Sequence, residues 1–315
     1  EWRDGFELAG KRFNYSIKGT LADYYSVIDK YNNANKSLST ASNQSLAGNY
    51  YEGMRIGELW GFVSNGLWQD QASIDAAEAG AIAAGQSYYN PLMQTSSNYK
   101  LYPGDIKFED LNGNGYIDRG QNTADDPGDR KIIGNEEPRY IYSFTLSADW
   151  NNFWVSAFFQ GVGKQDWYPS NEASTFWGQY NRPYNQMPTW HVDNYWTEDN
   201  PDAFLPRYTG YYAPLDKGTN NANTRYMMNV AYLRLKNLQI GYNLPKEWVK
   251  KLHLSNVGVY LSGENLVTWS PLYKYSKDLN VSNIGNSDPD LTTGSGDGYN
   301  YPMMRSFSLG LNVTF

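Results

Sequence analysis

The sequence of 315 residues predicts an all-β fold, part of a large antiparallel transmembrane β-barrel with long loops at one end. Three observations predict it: strict alternation of apolar and polar residues at the end of the chain, scarce helical periodicity, and unequal connections between the inferred strands. Outer-membrane barrels combine alternating strands with short turns on one side and long loops on the other. Because a soluble sandwich strand can alternate in the same way, the connections carry more weight than the alternation.

The last strand is the clearest element. It ends in RSFSLGLNVTF, where alternate positions form an apolar face and a polar face up to the terminal residue. The apolar positions are Phe307, Leu309, Leu311, Val313 and Phe315. One face of this strand therefore meets an apolar phase and the other a polar one.

Earlier strands are marked by their patterns and turns. They are predicted at 2–8, 12–31, 139–150, 153–163, 224–243 and 256–269. Ala9-Gly10-Lys11 joins the first pair, and Asn151-Asn152 joins the second, because Asn tolerates the positive φ of two-residue turns. Trp150, Phe153 and Trp154 flank that second turn, as in an interfacial aromatic girdle, although soluble hairpins also carry such pairs.

Helices are predicted only at 71–84 and, as a short turn, at 245–252. The stretch 50–68 resembles a strand, but we place it among the loops, since otherwise 33–49 would be an unusually long turn. Long connections are then expected at about 33–137, 164–223 and 270–302. Counting strands alternately up and down puts these three on one side, opposite the short turns and the C-terminus.

Composition excludes several function classes. Aromatic residues make up 16% of the chain, and such amphipathic rings suit interfaces better than a dry core. A net charge of −7 argues against a nucleic-acid surface, and the absence of cysteine excludes disulfides and thiol chemistry. Mean hydropathy is −0.67 and no run of about 18 apolar residues occurs, so no transmembrane helix is expected.

The segment GDIKFEDLNGNGYIDRG has the spacing of a calcium loop. Calcium takes about six to eight oxygen ligands on a tight turn, at alternate positions, with a glycine at the sixth. The predicted oxygen ligands are Asp110, Asn112, Asn114, the Tyr116 carbonyl and Asp118. Gly115 occupies the sixth position, but the twelfth, which should be a carboxylate, is Gln121. The alternative is a metal-free turn held by side-chain to backbone hydrogen bonds.

The long segment after 164 is rich in aromatic residues. Two interpretations stay open: contact with a ligand or a partner protein, and packing of a long loop onto itself. The residues concerned are Trp167, Tyr168, Phe176, Trp177, Tyr180, Tyr184, Trp190, Tyr195 and Trp196.

No catalytic constellation emerges. His191 and His253 are the 2 histidines, and they are too far apart in sequence to suggest a triad or a metal cluster. Neither a phosphate-binding glycine loop nor a nucleophile elbow occurs. We therefore expect a protein that is not an enzyme and that uses no organic cofactor.

Several segments, in order, resemble one family. They are YEGMRIGELWGF, PGDIKFEDLNGNGYID, DPGDRKIIGNEEPRY, FFQGVGKQDWY, YLRLKNLQIGYNLP and VYLSGENLVTW. They resemble the C-terminal barrel region of SusC/RagA-type TonB-dependent transporters of the Bacteroidetes outer membrane, and the resemblance covers nearly the whole chain. It implies about 22 antiparallel strands in the full protein, with a plug inside the barrel.

The resemblance also implies function and partners. It implies import of oligosaccharides or peptides across the outer membrane, with a SusD-like surface lipoprotein as a lid and TonB as the source of energy. The terminal NVTF is similar to the signal read by the barrel-assembly machinery, and outer-membrane lipid would surround the strands. In this family the calcium-like motif runs on into an Asp-Arg pair, so Asp129 is expected to close the site from beyond an insertion, with Asp125 or Asp126 in reserve.

The chain departs from the family pattern in its extent. We find no signal peptide, TonB box or plug, and we expect this piece to pair with an N-terminal portion of the same transporter. The rival hypothesis is a soluble, secreted, calcium-stabilised β protein that binds glycans. A β-rich glycosidase is a third hypothesis.

Overall fold

A computed structural model describes residues 1–38, 50–94, 100–170, 173–213, 218–251, 253–282, 284 and 303–315. Its strands are β1 (Trp2–Leu8), β2 (Lys11–Ala22), β3 (Glu58–Phe62), β4 (Ser64–Leu67), β5 (Ile106–Phe108), β6 (Arg130–Asn135), β7 (Arg139–Trp150), β8 (Phe153–Lys164), β9 (Asp166–Trp167), β10 (Tyr195–Trp196), β11 (Leu205–Arg207), β12 (Met228–Asn229), β13 (Tyr232–Asn243), β14 (Asn256–Trp269) and β15 (Ser306–Thr314). Its helices are α1 (Gln71–Ala83), α2 (Ser174–Trp177) and α3 (Lys246–Lys251). Strands predominate, which confirms the all-β class.

Seven long strands form one sheet in the order β1-β2-β7-β8-β13-β14-β15. Every neighbouring pair is antiparallel. Asn151 and Asn152 make the predicted tight turn, with φ of 49° and 72°. Within the described residues this sheet is open, with β1 and β15 at its edges.

The two faces of the sheet differ in polarity, because directly paired residues point to the same side. The apolar face carries Trp2, Phe6, Leu8, Phe13, Tyr15, Ile17, Leu21, Tyr142, Phe144, Leu146, Ala148, Trp150, Phe153, Val155, Ala157, Phe159, Leu233, Leu235, Leu238, Ile240, Tyr242, Val257, Val259, Leu261, Val267, Trp269, Phe307, Leu309, Leu311 and Val313. Much of it is uncovered: Leu21 is 71% exposed and Leu309 is 74% exposed. The opposite face carries mainly polar side chains, among them Asn14, Ser147, Ser156, Gln239 and Ser308.

The long connections all leave the same end of the sheet. Because successive strands are antiparallel, the segments 23–138, 165–231 and 270–305 lie together, opposite the turns and the C-terminus. We call their described residues the loop assembly. It holds most of the buried apolar side chains, including Phe62, Phe108, Trp177, Tyr180 and Tyr226. The hydrophobic core of the chain therefore lies beside the sheet rather than on it.

Short strand pairs stiffen the loop assembly. β3 pairs with β6, β4 with β5, β9 with β12, and β10 with β11. The stretch 50–68, which contains β3 and β4, thus lies outside the large sheet as predicted. The predicted helices are also present, as α1 and α3, and α1 begins where Asp70 accepts the Ser73 N–H at 2.7 Å. Leu252, at the end of the second prediction, lies outside the described residues.

Two predicted strand ends are wrong. β2 ends at Ala22 rather than near residue 31, because Asp23 pairs with Arg139 and Ile28 exchanges backbone hydrogen bonds with Met54 and Gly53 in the loop assembly. β13 begins at Tyr232 rather than near residue 224.

The second error has a similar cause. Met228 pairs with Trp167 in a separate short ladder, and the Val230 N–H donates to the Gln165 carbonyl at 2.9 Å. Contacts distant in sequence thus end the regular strands earlier than their local patterns predict. Across the described ranges, no helix is long and apolar enough to cross a membrane.

Candidate functional site

The apolar face has aromatic side chains at both ends. Near the turns, the Phe153 and Tyr242 rings lie 4.6 Å apart between centroids, and the Trp150 indole N–H donates to the Leu8 carbonyl at 3.1 Å. At the loop end, Tyr142 and Trp269 lie on the same face. Such rings place an apolar body in lipid and a polar tip in the interface.

Trp154 does not belong to this girdle. It pairs with Asp149 and Gly241, and alternation puts it on the polar face. There it contributes to a cavity of about 600 Å³ together with Arg3, Arg12 and Asn14. The sequence predicted that Trp150, Phe153 and Trp154 all belong to one aromatic girdle. The strand register shows that Trp154 lies on the opposite face.

The predicted calcium loop is a compact turn. Asp110 accepts the backbone N–H groups of Gly113 at 2.6 Å and Gly115 at 2.7 Å. The Asn112 side-chain oxygen accepts the Asn114 N–H, and that of Asn114 accepts the Tyr116 N–H. Asn114 also donates to Asp118 at 2.5 Å. These bonds are the ones an Asx-rich turn makes, and calcium loops use the same geometry.

Asp129 reaches this turn from beyond the insertion. Its carboxylate is fully buried and accepts the backbone N–H groups of Leu111 at 2.7 Å, Asp118 at 2.8 Å and Asn112 at 3.3 Å. Burial raises the pKa of Asp129 above its usual value, because desolvation disfavours the charged form.

The two reserve carboxylates have partners of their own. Asp125 pairs with Lys36 at 2.9 Å, and Asp126 accepts the Gln121 N–H at 3.3 Å. Within the part of the chain that the structure describes, no three Asp, Glu, His or Cys side chains are grouped closely enough to hold a metal. A cation in this loop would therefore depend also on the oxygens of Asn112, Asn114 and Tyr116, a set of the hard donors that Ca²⁺ prefers.

Most of the predicted loop aromatics pack against one another. Trp167, Tyr168, Phe176, Trp177 and Tyr180 are buried, Trp190, Tyr195 and Trp196 are half-buried, and Tyr184 is 78% exposed. The buried hydroxyls are satisfied: that of Tyr168 donates to the Thr219 carbonyl at 2.6 Å, and that of Tyr180 to the Pro206 carbonyl at 2.7 Å. In this conformation the buried members contact protein, so ligand contact remains a prediction for the more exposed ones.

Trp190 borders a polar cavity that the sequence alone did not indicate. The cavity has a volume of about 700 Å³ and lies between the second and third long connections. Asn185 and Gln186 line it from one side, Tyr273 and Tyr275 from the other. Sequence reasoning did not identify Tyr273 and Tyr275. Their spacing in SPLYKYSK was the available signal, but it matches no ordinary strand or turn pattern.

His191 is a structural residue. It is fully buried, its Nε2 lies 2.8 Å from the Phe176 carbonyl oxygen, and its ring is 4.3 Å from that of Trp190. Burial lowers the pKa of His191 to about 4. His253 lies at the opposite, turn end of the sheet, so the two histidines are not brought together.

The fold is similar to that of known transport proteins. The chain aligns over 99% of its length with 28% of a chain in "Structure of the RagAB peptide transporter", with a TM-score of 0.58 and 14% identity. A second structure, the RagAB peptide importer in the closed-closed state, aligns over 99% of this chain and 28% of that chain, with a TM-score of 0.57 and 14% identity. This similarity shows that the two-faced sheet and its long connections have the fold of part of those transport proteins.

Sequence relatives identify the family. No protein-family model matches the chain. The chain is 31% identical over 266 residues to TonB-dependent receptor P3 of Formosa agariphila, which covers 84% of this chain and 22% of the relative. It is 25% identical over 308 residues to TonB-dependent receptor P39 of the same organism, covering 90% of this chain and 28% of that one.

The chain belongs to the TonB-dependent receptors, and its predicted resemblance to the SusC/RagA type is confirmed. It is an outer-membrane protein, which decides against the soluble secreted alternative. The chain spans between 20% and 28% of the length of the curated relatives that it matches. Those relatives are named receptors, and the solved neighbours are named transporters, rather than enzymes.

Proposed function

We propose that this chain is the C-terminal barrel portion of a TonB-dependent importer that carries oligosaccharides or peptides across the outer membrane. The observation that carries the proposal is the seven-stranded sheet with one apolar and one polar face, whose long connections all leave one end. An uncovered apolar face of this size needs a lipid phase, and a polar face suits a water-filled lumen. The function is transport, with no catalytic step.

The complete barrel has about 22 strands in this proposal, as large plugged transporters do. The edges of β1 and β15 then pair with strands from the N-terminal portion of the transporter, since an open edge within lipid leaves backbone groups without partners. The segments 33–137, 164–223 and 270–302 are extracellular loops, of which 39–49, 95–99, 171–172, 214–217, 283 and 285–302 lie outside the described residues. The polar face encloses a plug.

The loop assembly and a SusD-like lipoprotein lid together form the chamber that captures the substrate. The structural neighbour is named a peptide importer and is described in open-open and closed-closed states, which supports a lid that opens and closes. On this chain, Trp190, Tyr273 and Tyr275 line the polar cavity together with the amides of Asn185 and Gln186. Aromatic rings beside amide groups suit sugar rings or peptide side chains. Trp167, Tyr168, Trp177 and Tyr180 belong to the buried cluster against which Trp190 packs, and Trp196 is a candidate for contact with the lid.

TonB, acting on the part of the transporter that precedes this chain, supplies the energy that opens the path through the barrel. The apolar positions of β15 form the barrel-assembly signal in this proposal. Phe307, Leu309 and Leu311 are each more than half exposed, and the terminal Phe315 is 90% exposed. They are therefore accessible to the barrel-assembly machinery before lipid covers them.

Calcium is proposed as a structural ion in the loop that contains Asp110, Asn112, Asn114, Tyr116 and Asp118. The buried Asp129 carboxylate supports the proposal, because a cation would offset the cost of a buried charge that accepts only neutral N–H donors in the bonds above. The ion would stiffen the segment ahead of β7, which enters the sheet at Arg139. It is a structural clip in this proposal, with no switching role.

Transport is tested with the full-length receptor in its native outer membrane. Cells are given radiolabelled oligosaccharide or peptide mixtures, and uptake is compared between wild type, a receptor deletion and a TonB deletion. We expect accumulation only in wild type. Equal accumulation in the receptor deletion would contradict import by this protein, and equal accumulation in the TonB deletion would contradict energy coupling.

The calcium proposal needs a separate test. Purified receptor in detergent is digested with protease before and after chelation, and cleavage within 105–135 is followed by mass spectrometry. Faster cleavage after chelation, reversed by Ca²⁺ and not by Na⁺, is expected. Unchanged cleavage, together with no bound calcium by elemental analysis, would leave only the metal-free turn.

A further inference from the structure

A crevice interrupts the apolar face where it meets the loop assembly. It has a volume of about 720 Å³, within the range of roughly 300–1,000 Å³ that small-molecule sites occupy. Tyr142, Leu233, Val267 and Trp269, all on the apolar face, line it. It therefore opens onto the apolar face, while Tyr273 and Lys277 line both this crevice and the polar cavity of about 700 Å³.

Two small residues line the crevice. Ala231 and Gly163 line the crevice together with the larger Tyr142 and Trp269. The Tyr142 ring lies so close to Gly161 that any Cβ there would overlap it, and the Tyr142 hydroxyl donates to the Tyr232 carbonyl at 3.2 Å. The wall on that side is thus held by a hydrogen bond across to β13.

The mouth of the crevice is polar and positively charged. Ser270, Pro271, Tyr273 and Lys277 line the crevice from the third long connection. Among the described residues that line the crevice, Lys277 is the one that carries a charge. Lys277 also borders the polar cavity on the other side of this segment, so its ammonium group lies at the boundary between the apolar face and water.

We propose that this crevice binds lipid A, the phosphorylated and acylated glycolipid of the outer leaflet, with an acyl chain against Ala231 and a phosphate on Lys277. The apolar lining residues Tyr142, Leu233 and Trp269 take the chain by van der Waals packing, since lipid tails are themselves apolar and supply no hydrophobic driving force. The lysine at the headgroup level takes the phosphate, as basic residues at membrane surfaces do. The proposal rests on the proposed orientation, in which the loop end faces outward.

Ala231 and Lys277 allow separate tests of the two halves. Ala231→Trp fills the crevice, and Val259→Trp adds the same ring elsewhere on the apolar face, where Val259 is 40% exposed. Lys277→Glu reverses the charge at the mouth. Lys274→Glu makes the same change at an exposed residue of the same segment that does not line the crevice.

The full-length receptor is purified in detergent, each variant is mixed with bisphosphorylated lipid A, and retained lipid is measured by native mass spectrometry. Phosphatidylglycerol and phosphatidylcholine are run in parallel. We expect wild type to retain one lipid A, Ala231→Trp to lower its affinity at least tenfold, and Lys277→Glu to lower it about fivefold, the scale of an exposed ion pair. Val259→Trp and Lys274→Glu should match wild type.

Each contrary outcome overturns a defined part. Equal affinity in Ala231→Trp and Val259→Trp overturns the crevice as the chain site, and equal affinity in Lys277→Glu and Lys274→Glu overturns the phosphate contact. Retention of phosphatidylglycerol as tightly as lipid A overturns the choice of lipid. Heat-modifiable migration on a gel checks that every variant is folded. A wild-type receptor that retains lipid A but imports nothing would count against the proposed function alone.

Discussion

Removal of the Asp129 carboxylate should open the turn at 110–118. The Asp129→Ala variant leaves the buried N–H groups of Leu111 and Asp118 without their acceptor, at sites where the bonds measure 2.7 Å and 2.8 Å. A hydrogen bond to a charged group contributes about 1.5–3 kcal/mol, so the loss of two amounts to about 3–6 kcal/mol. The 3.3 Å contact from Asn112 adds little.

The conservative variant Asp129→Asn should destabilise the turn less than Asp129→Ala does. Asp129→Asn keeps one oxygen for Leu111 but turns an amide N–H₂ toward the Asp118 N–H, so one of the two short bonds is lost at a cost of about 1.5–3 kcal/mol. Asp125→Ala is the matched control, because Asp125 is exposed and pairs only with Lys36 in the described contacts. An exposed pair of this kind contributes about 0–1 kcal/mol.

Hydrogen exchange of the full-length receptor in detergent measures these differences directly. Exchange at the amides of 110–118 should accelerate about 100-fold or more in Asp129→Ala, since each 1.4 kcal/mol of lost protection corresponds to about a factor of ten. The Asp125→Ala control should change it less than about fivefold. If the two variants exchange alike, Asp129 does not hold this turn and the reasoning from its hydrogen bonds is refuted.

Other predictions concern the sheet and the loop assembly. Leu309→Arg should destabilise the receptor by about 2–4 kcal/mol in denaturant titrations in lipid, while Ser308→Arg on the polar face should cost far less; equal losses would contradict the assignment of faces. Since the pKa of His191 is lowered from 6.5 to about 4 by burial, the neutral form is favoured by folding. The contribution of neutral His191 to the free energy of unfolding is fully present above pH 6.5. It falls by about 3 kcal/mol as the pH drops toward 4. Protease cleavage within 165–231 should therefore rise between pH 7 and pH 5 in wild type but not in His191→Gln, and cleavage that does not change with pH would refute it. A Cβ at Gly310 would overlap the Tyr260 ring, so Gly310→Val should reduce the heat-modifiable fraction in the membrane, whereas Ser308→Val should leave it unchanged; equal fractions would show that the ring has room to move.

The regular part of the fold could be predicted because its signals are local. Alternation in β15 and β14 predicts which side chains point to which face, and Asn151-Asn152 predicts a tight turn because Asn tolerates the positive φ angles that such a turn requires. These patterns depend on neighbours one or two residues apart. The strand ends at Ala22 and Tyr232 could not be predicted in the same way, because ion pairs and ladders formed with distant segments end them.

The sequence by itself determined the two-faced antiparallel sheet, the turns at one end and the resemblance to the SusC/RagA type. The reason is that the two-residue period of a strand and the residue types of a tight turn depend only on neighbouring residues. Only the tertiary structure decided that the core lies in the loop assembly, that Trp177 and Tyr180 are buried, and that Asp129 meets Asp118. The physical reason is that long connections gain their stability from contacts between residues far apart in the chain. Such contacts depend on how three separate segments pack at one end of a sheet, and no single segment carries that information.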